Sequence, residues 1–138
     1  MKEVLNYKFD SLKHCKTRLY YHVVLATKYR KPVLEGIEGK VEETFKEIET
    51  QGKFKVIEGR VGEGDHVHIL LRVRPSASIG WVIFRLKQLS THKLWEEEKK
   101  RLKKYYWKQG KRILWSEGYF AESVGSNIEA VTNYILNQ

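Results

Sequence analysis

The chain has 138 residues, enough for one compact domain with its own core and too few for two comfortable ones. Lysine and arginine number 26 against 17 acids, a formal charge of +9 that suits a polyanionic partner without identifying one, and the single cysteine, Cys15, excludes an intrachain disulfide or a thiolate metal cluster. Met1 to Arg18 lacks the apolar core of a signal peptide, and no apolar run approaches the about 20 residues that cross a bilayer, so a cytoplasmic protein without a membrane partner is expected.

Along the chain, residues 1–17 read as a possible arm on a single domain spanning 1–138. Residues 18–27 are aromatic and β-branched and predict a first strand. Ile37, Val41, Phe45 and Ile48 recur at helical spacing, giving a helix over about residues 36–51. Five acids against two bases leave that segment at −3 and the rest of the chain at +12, so this helix should face away from a polyanion. Residues 54–61 and 66–73 form a strand pair joined by the turn-prone Gly62-Glu63-Gly64-Asp65. Pro75-Ser76-Ala77-Ser78 ends the second of these and starts a helix with Ile79, Val82, Ile83, Leu86 and Leu89 as its buried stripe. That helix runs on, or re-forms, through residues 96–104. Gln109-Gly110-Lys111 is a turn, and residues 113–124 carry a fourth strand. Ser126-Asn127-Ile128-Glu129 has the form of a capping box and opens a last helix with Ile128, Val131 and Ile135 inward. The order β-α-β-β-α-β is that of an α+β, ferredoxin-like domain with a four-stranded antiparallel sheet, here with an appended C-terminal helix.

Side chains alternate across a strand, so His66 and His68 share one face of the third strand while Val67, Ile69 and Leu71 take the other. Taken alone, such a pair also fits an ordinary solvated sheet face. Tyr134 and Gln138 lie one turn apart on the flank of the last helix's apolar stripe. Tyrosine is common at such boundaries, and seven others are present. A phenol on a helix and two imidazoles on a strand suit phosphoryl transfer if the fold unites them: a phenol with a pKa near ~10 needs a base or cation beside it to act as a nucleophile. Imidazoles suit transition metals, whereas Mg²⁺ prefers oxygen. Lys28, Arg30 and Lys31 after the first strand, and Arg85 with Lys87 on the second helix, are candidate phosphate contacts. Tyr105 and Trp107 follow a run of lysines and offer aromatic faces to unpaired bases, although packing under the next loop explains them equally well. His22 reads as structural or DNA-facing, and Asp65, with Glu63 as the weaker candidate, as either a support for the histidine pair or an ordinary turn residue. No H-E-x-x-H occurs, which argues against zinc peptidase chemistry.

Tyr21-His22-Val23-Val24, Thr27-Lys28-Tyr29-Arg30-Lys31-Pro32, Gly64-Asp65-His66-Val67-His68-Ile69-Leu70-Leu71, Leu86-Lys87-Gln88-Leu89-Ser90, Leu114-Trp115-Ser116-Glu117-Gly118-Tyr119-Phe120 and Tyr134-Ile135-Leu136-Asn137-Gln138 occur in this order over nearly the whole chain. In that register the chain resembles the single-tyrosine HUH transposases of small bacterial and archaeal insertion sequences, the insertion-sequence 200/605 type that includes REP-associated tyrosine transposases. The resemblance implies the ferredoxin-like fold and an enzyme that cuts and rejoins single-stranded DNA with hairpin ends. It implies a covalent 5′-phosphotyrosine on Tyr134 and a Mg²⁺ or Mn²⁺ ion held by His66, His68 and Gln138. A homodimer with composite sites is implied too, the histidines of one subunit meeting the tyrosine helix of the other. Rival readings are a noncatalytic ferredoxin-like nucleic-acid-binding domain, a phosphoesterase that uses water, and a domesticated HUH endonuclease.

Overall fold

The structure, a computed structural model, describes residues 10–12, 15–48, 52–125 and 128–138. Its centre is a four-stranded antiparallel sheet of β3 (Tyr20–Ala26), β4 (Phe54–Gly62), β5 (His66–Val73) and β6 (Phe120–Val124), in the order β4-β5-β3-β6. The helices are α1 (Glu38–Lys46), α2 (Ile79–Glu97), α3 (Lys99–Tyr106) and α4 (Ile128–Leu136). Connectivity and strand order are those of the ferredoxin-like arrangement with one helix added. Of the expected arm, β1 (Asp10–Leu12) and β2 (Cys15–Thr17) pair as a separate two-stranded sheet.

Strict alternation gives the sheet two different faces. Val23, Leu25, Val67, Ile69 and Leu71 turn to one side and join Val41 and Phe45 of α1 and Val82, Ile83 and Leu86 of α2 in the main core. Tyr20, Leu70 and Val124 turn to the other and meet Ile135 of α4, with Val131 packed at the margin. The second cluster is small, so α4 is docked by far less apolar contact than α1 or α2. Everything else on that second face is free to be polar. His22, His68 and Glu122 stand there.

Two elements are shorter than their periodicity suggests and one helix is interrupted, each for a local reason. The first helix starts at Glu38 because Gly36 is left-handed, at φ 90°, and its N–H is bonded by the Glu38 carboxylate at 3.0 Å. A second break falls at Glu98, where φ −127° and ψ 38° separate α2 from α3, so the helix re-forms rather than running on. The fourth strand is restricted to Phe120–Val124, preceded by an isolated bridge between Thr27 and Trp115. Between these, Lys87 Nζ reaches the carbonyls of Ser116, Glu117 and Gly118 at 2.8, 3.0 and 3.0 Å and holds the chain away from the ladder. Ser78 caps α2, its Oγ accepting from Trp81 N–H at 3.1 Å. The expected capping residues of the last helix, Ser126 and Asn127, lie outside the described residues.

Candidate active site

Antiparallel pairing of β3 with β5 sets Val24 opposite His68 and Ala26 opposite His66, and pairing of β3 with β6 sets His22 opposite Glu122. His22 is therefore a diagonal neighbour of His68 across the strands. Its Nε2 lies 3.0 Å from His68 Nδ1, and its Nδ1 lies 3.3 Å from the Glu122 carboxylate. A carboxylate only accepts, so the His22 Nδ1 carries the hydrogen and its Nε2 accepts the proton on His68 Nδ1. His66 is anchored in the same manner by Asp65, Nδ1 to Oδ1 at 2.7 Å. Both histidines of the pair thus present a bare Nε2, the form in which imidazole binds a cation. Burial, then the neighbouring His22 and His66, lower the His68 pKa to about 4, which keeps that ring neutral.

Tyr134 meets this group from above. Its ring centroid is 5.4 Å from that of His68 and 6.0 Å from that of His22, edge-on to both, and His66 and His68 are 5.0 Å apart. The phenol is 54% exposed and overhangs an open cavity of about 690 Å³ lined by His22, His68, Phe120 and Glu122. The contact is made within one chain. Gln138, the expected third ligand, is folded back on its own helix, its amide donating to the Tyr134 carbonyl at 2.7 Å. Among the described residues no cluster of three or more His, Cys, Asp or Glu side chains is placed to hold a metal ion. The donor chemistry nevertheless fits a cation, with two imidazoles whose Nδ1 atoms are both fixed, that of His66 by the Asp65 carboxylate and that of His68 by His22. A third donor has to be added to them.

Asp65 does more than hold His66. Its other carboxylate oxygen accepts from Arg30 Nε at 3.2 Å. Burial raises its pKa, but the bonds from His66 and Arg30 outweigh this and the net shift is downward, so it stays ionised. The candidate contact Arg30 is thereby tied to the histidine pair, with Lys28 and Lys31 beside it in the short helical turn and its cap. Tyr105 is half-buried against the main core and Trp107 is 64% exposed, and both line a second groove with Tyr29 and Lys31. Arg85 and Lys87 are not part of either group. They lie on α2, across the sheet from Tyr134, where Arg85 bonds Gln88 at 2.6 Å and all three Lys87 donors are taken by main-chain carbonyls. In this arrangement Lys87 has no proton left for a phosphate.

Two residues of the site escaped the sequence reading, His22 as a partner of His68 and Glu122 altogether. Alternation along β3 places His22 in phase with Tyr20 and Val24, but only the strand order reveals that this phase faces His68.

The geometry agrees with what the chain is similar to. A family model described as "Transposase IS200 like" matches residues 15–138. The transposases for insertion sequence element IS200 of Salmonella typhimurium strain LT2 and of Salmonella typhi are each 29% identical to it over 129 residues, 93% of this chain and 82% of theirs. A crystal structure of a candidate transposase from Deinococcus radiodurans R1 superimposes with a TM-score of 0.72 at 28% identity, covering 94% of this chain and 97% of that one. A ferredoxin-like sheet with paired histidines under a tyrosine-bearing helix is here joined to a family match over nearly every residue, and the chain belongs to the IS200-like transposase family.

Proposed function

We propose that the protein cuts and rejoins single-stranded DNA at the ends of an insertion sequence, with Tyr134 as the nucleophile. The observation that carries this reading is the convergence of Tyr134 on His68, 5.4 Å between ring centroids, from a helix and a strand remote in sequence. The phenolic oxygen attacks the scissile phosphorus in line with the departing deoxyribose 3′-oxygen, which gains a proton as the phenol loses one. The product is a 5′-phosphotyrosine diester, close in energy to the bond it replaces. A 3′-hydroxyl of other DNA can reverse the step, so cutting and joining are one reaction in two directions.

His66 and His68 would hold a divalent cation, Mg²⁺ or Mn²⁺, through Nε2, with Gln138 as a third donor once its side chain turns from the Tyr134 carbonyl. Such an ion supplies a Lewis acid at a non-bridging phosphate oxygen. Asp65, His22 and Glu122 act through the two imidazoles, fixing their tautomers and ring directions. Moving a DNA segment requires cleavage at two ends while each chain offers one such tyrosine, so the working unit is a homodimer acting on hairpin-bearing single strands.

The test is Tyr134→Phe, which removes one exposed hydroxyl and leaves the fold intact. With end-labelled single strands from the flanking DNA and Mg²⁺ or Mn²⁺, the parent protein forms a denaturant-resistant adduct. The variant forms none and cleaves slower by about 10³-fold or more. Cleavage that persists in the variant assigns attack to water and defeats the proposal.

A further inference from the structure

The groove beside the catalytic face is built from two distant segments. Tyr29 and Lys31 come from the turn after β3, and Lys104, Tyr105, Trp107 and Lys108 from the end of α3 and the turn beyond it. It measures about 470 Å³, within the range of small-molecule sites. Three cations and three aromatic rings line it, with no acid among them. Tyr29 and Trp107 are 60% and 64% exposed, with Lys28 Nζ 5.6 Å from the first ring and Lys108 Nζ 5.2 Å from the second. Large rings left this bare, each with a cation beside it, are what a flat π-faced anion requires.

The two walls are locked together and the turn is strained. The buried Tyr106 donates its hydroxyl to the Lys28 carbonyl at 2.8 Å, Lys28 N–H donates to the Leu114 carbonyl at 2.8 Å, and Thr27 Oγ1 donates to the Lys31 carbonyl at 2.8 Å. Tyr29 and Arg30 both occupy the left-handed region, at φ 61° and 52°, a conformation that side chains larger than glycine rarely hold unless their surroundings enforce it. Here it sends consecutive side chains to two destinations. Tyr29 goes into the groove, and Arg30 goes to Asp65, whose other oxygen holds His66.

We propose that this groove binds the unpaired DNA strand adjoining the scissile phosphate, with bases stacked on Tyr29 and Trp107 and phosphates met by Lys31, Lys104 and Lys108. Tyr105, half-buried on the core, forms the floor. The bridge from Arg30 through Asp65 to His66 then sets the register between the held bases and the point of cutting. The assignment of DNA as the strand rests on the transposase reading, and the role of the groove rests on its own lining.

The test measures the anisotropy of labelled, unstructured single strands with Tyr29→Ala, Trp107→Ala and Trp107→Phe proteins, against matching strands with abasic positions and against a blunt duplex. The parent should favour bases over abasic sites. Each alanine variant should lose at least about fivefold for the base-bearing strand and nothing for the abasic one, the low end of what one base–aromatic stack contributes. Trp107→Phe should restore the preference, and duplex binding should not change. Equal binding of base-bearing strands by the parent and both alanine variants overturns the proposal, and so does tighter binding of RNA of the same sequence. Adduct formation is scored in parallel and separates the two readings. A parent that forms the adduct while its alanine variants bind normally defeats the groove alone, and a base preference without any adduct defeats the tyrosine chemistry alone.

Discussion

His68 stays neutral at physiological pH because burial, and after it the neighbouring His22 and His66, bring its pKa down to about 4. Neutrality alone does not make a ligand, since a free ring exchanges its proton between two nitrogens. The chain Glu122–His22–His68 removes that freedom, and Asp65 does the same for His66 at 2.7 Å. His22→Phe keeps a ring of similar size in the sheet and deletes the acceptor for His68 Nδ1. Mn²⁺ affinity, followed by electron paramagnetic resonance in the absence of DNA, should fall by about 10- to 100-fold while circular dichroism stays unchanged. Unaltered affinity would reduce His22 to a packing residue.

At the scale of elements, the β4–β5 hairpin carries a requirement that no motif announces. Gly62 pairs with His66 across the ladder, and a β-carbon there would collide with the His66 ring at Nε2, the nitrogen proposed to bind a cation. Gly62→Ala is compatible with the backbone, so the hairpin should form while the imidazole is pushed aside. Metal affinity and cleavage should both fall by about tenfold or more, on the scale of losing a ligand's alignment, in a protein whose melting temperature is kept. A variant that binds Mn²⁺ normally would mean that the ring finds room elsewhere. The hairpin itself was legible, since alternating apolar residues around two glycines define both strands, and β5 spans residues 66–73 as its pattern indicates. So were the histidine pair and the tyrosine, because each sits on a single element with a clear period. What stayed hidden depends on neighbours in space. His22 meets His68 only through strand order, and Lys87 looks like a surface cation until three carbonyls are brought to it. The short β6 is the same case, because a pattern over residues 113–124 cannot reveal that Lys87 draws part of it off the sheet.

Over the whole molecule, the sheet divides labour between its faces. The acid-rich α1 lies on the core side with α2, and its carboxylates are drawn into local contacts, Glu42 with Arg60 and the Val61 N–H and Glu38 with the Gly36 N–H. The opposite face carries the histidines and α4, and is left clear of that negative surplus. Among the described residues no helix is long and apolar enough to cross a membrane. The small cluster around Ile135 is what keeps Tyr134 on its own chain's histidines. This within-chain arrangement makes a prediction about subunits. Verified heterodimers of His66→Ala and Tyr134→Phe proteins should stay inactive, since each chain lacks one half of its own site. Recovered cleavage would show that α4 is exchanged between subunits, the composite arrangement that the family resemblance implies.

Mapping the attached nucleotide tests the central claim most directly. The protein is incubated with a flanking single strand and Mn²⁺, denatured, treated with nuclease and trypsin, and the nucleotide-bearing peptide is sequenced by mass spectrometry. The account predicts a 5′-phosphate ester on the Tyr134 side chain and on no other residue. A nucleotide on any of the seven other tyrosines, or cleaved DNA with no nucleotide on the protein, would contradict it.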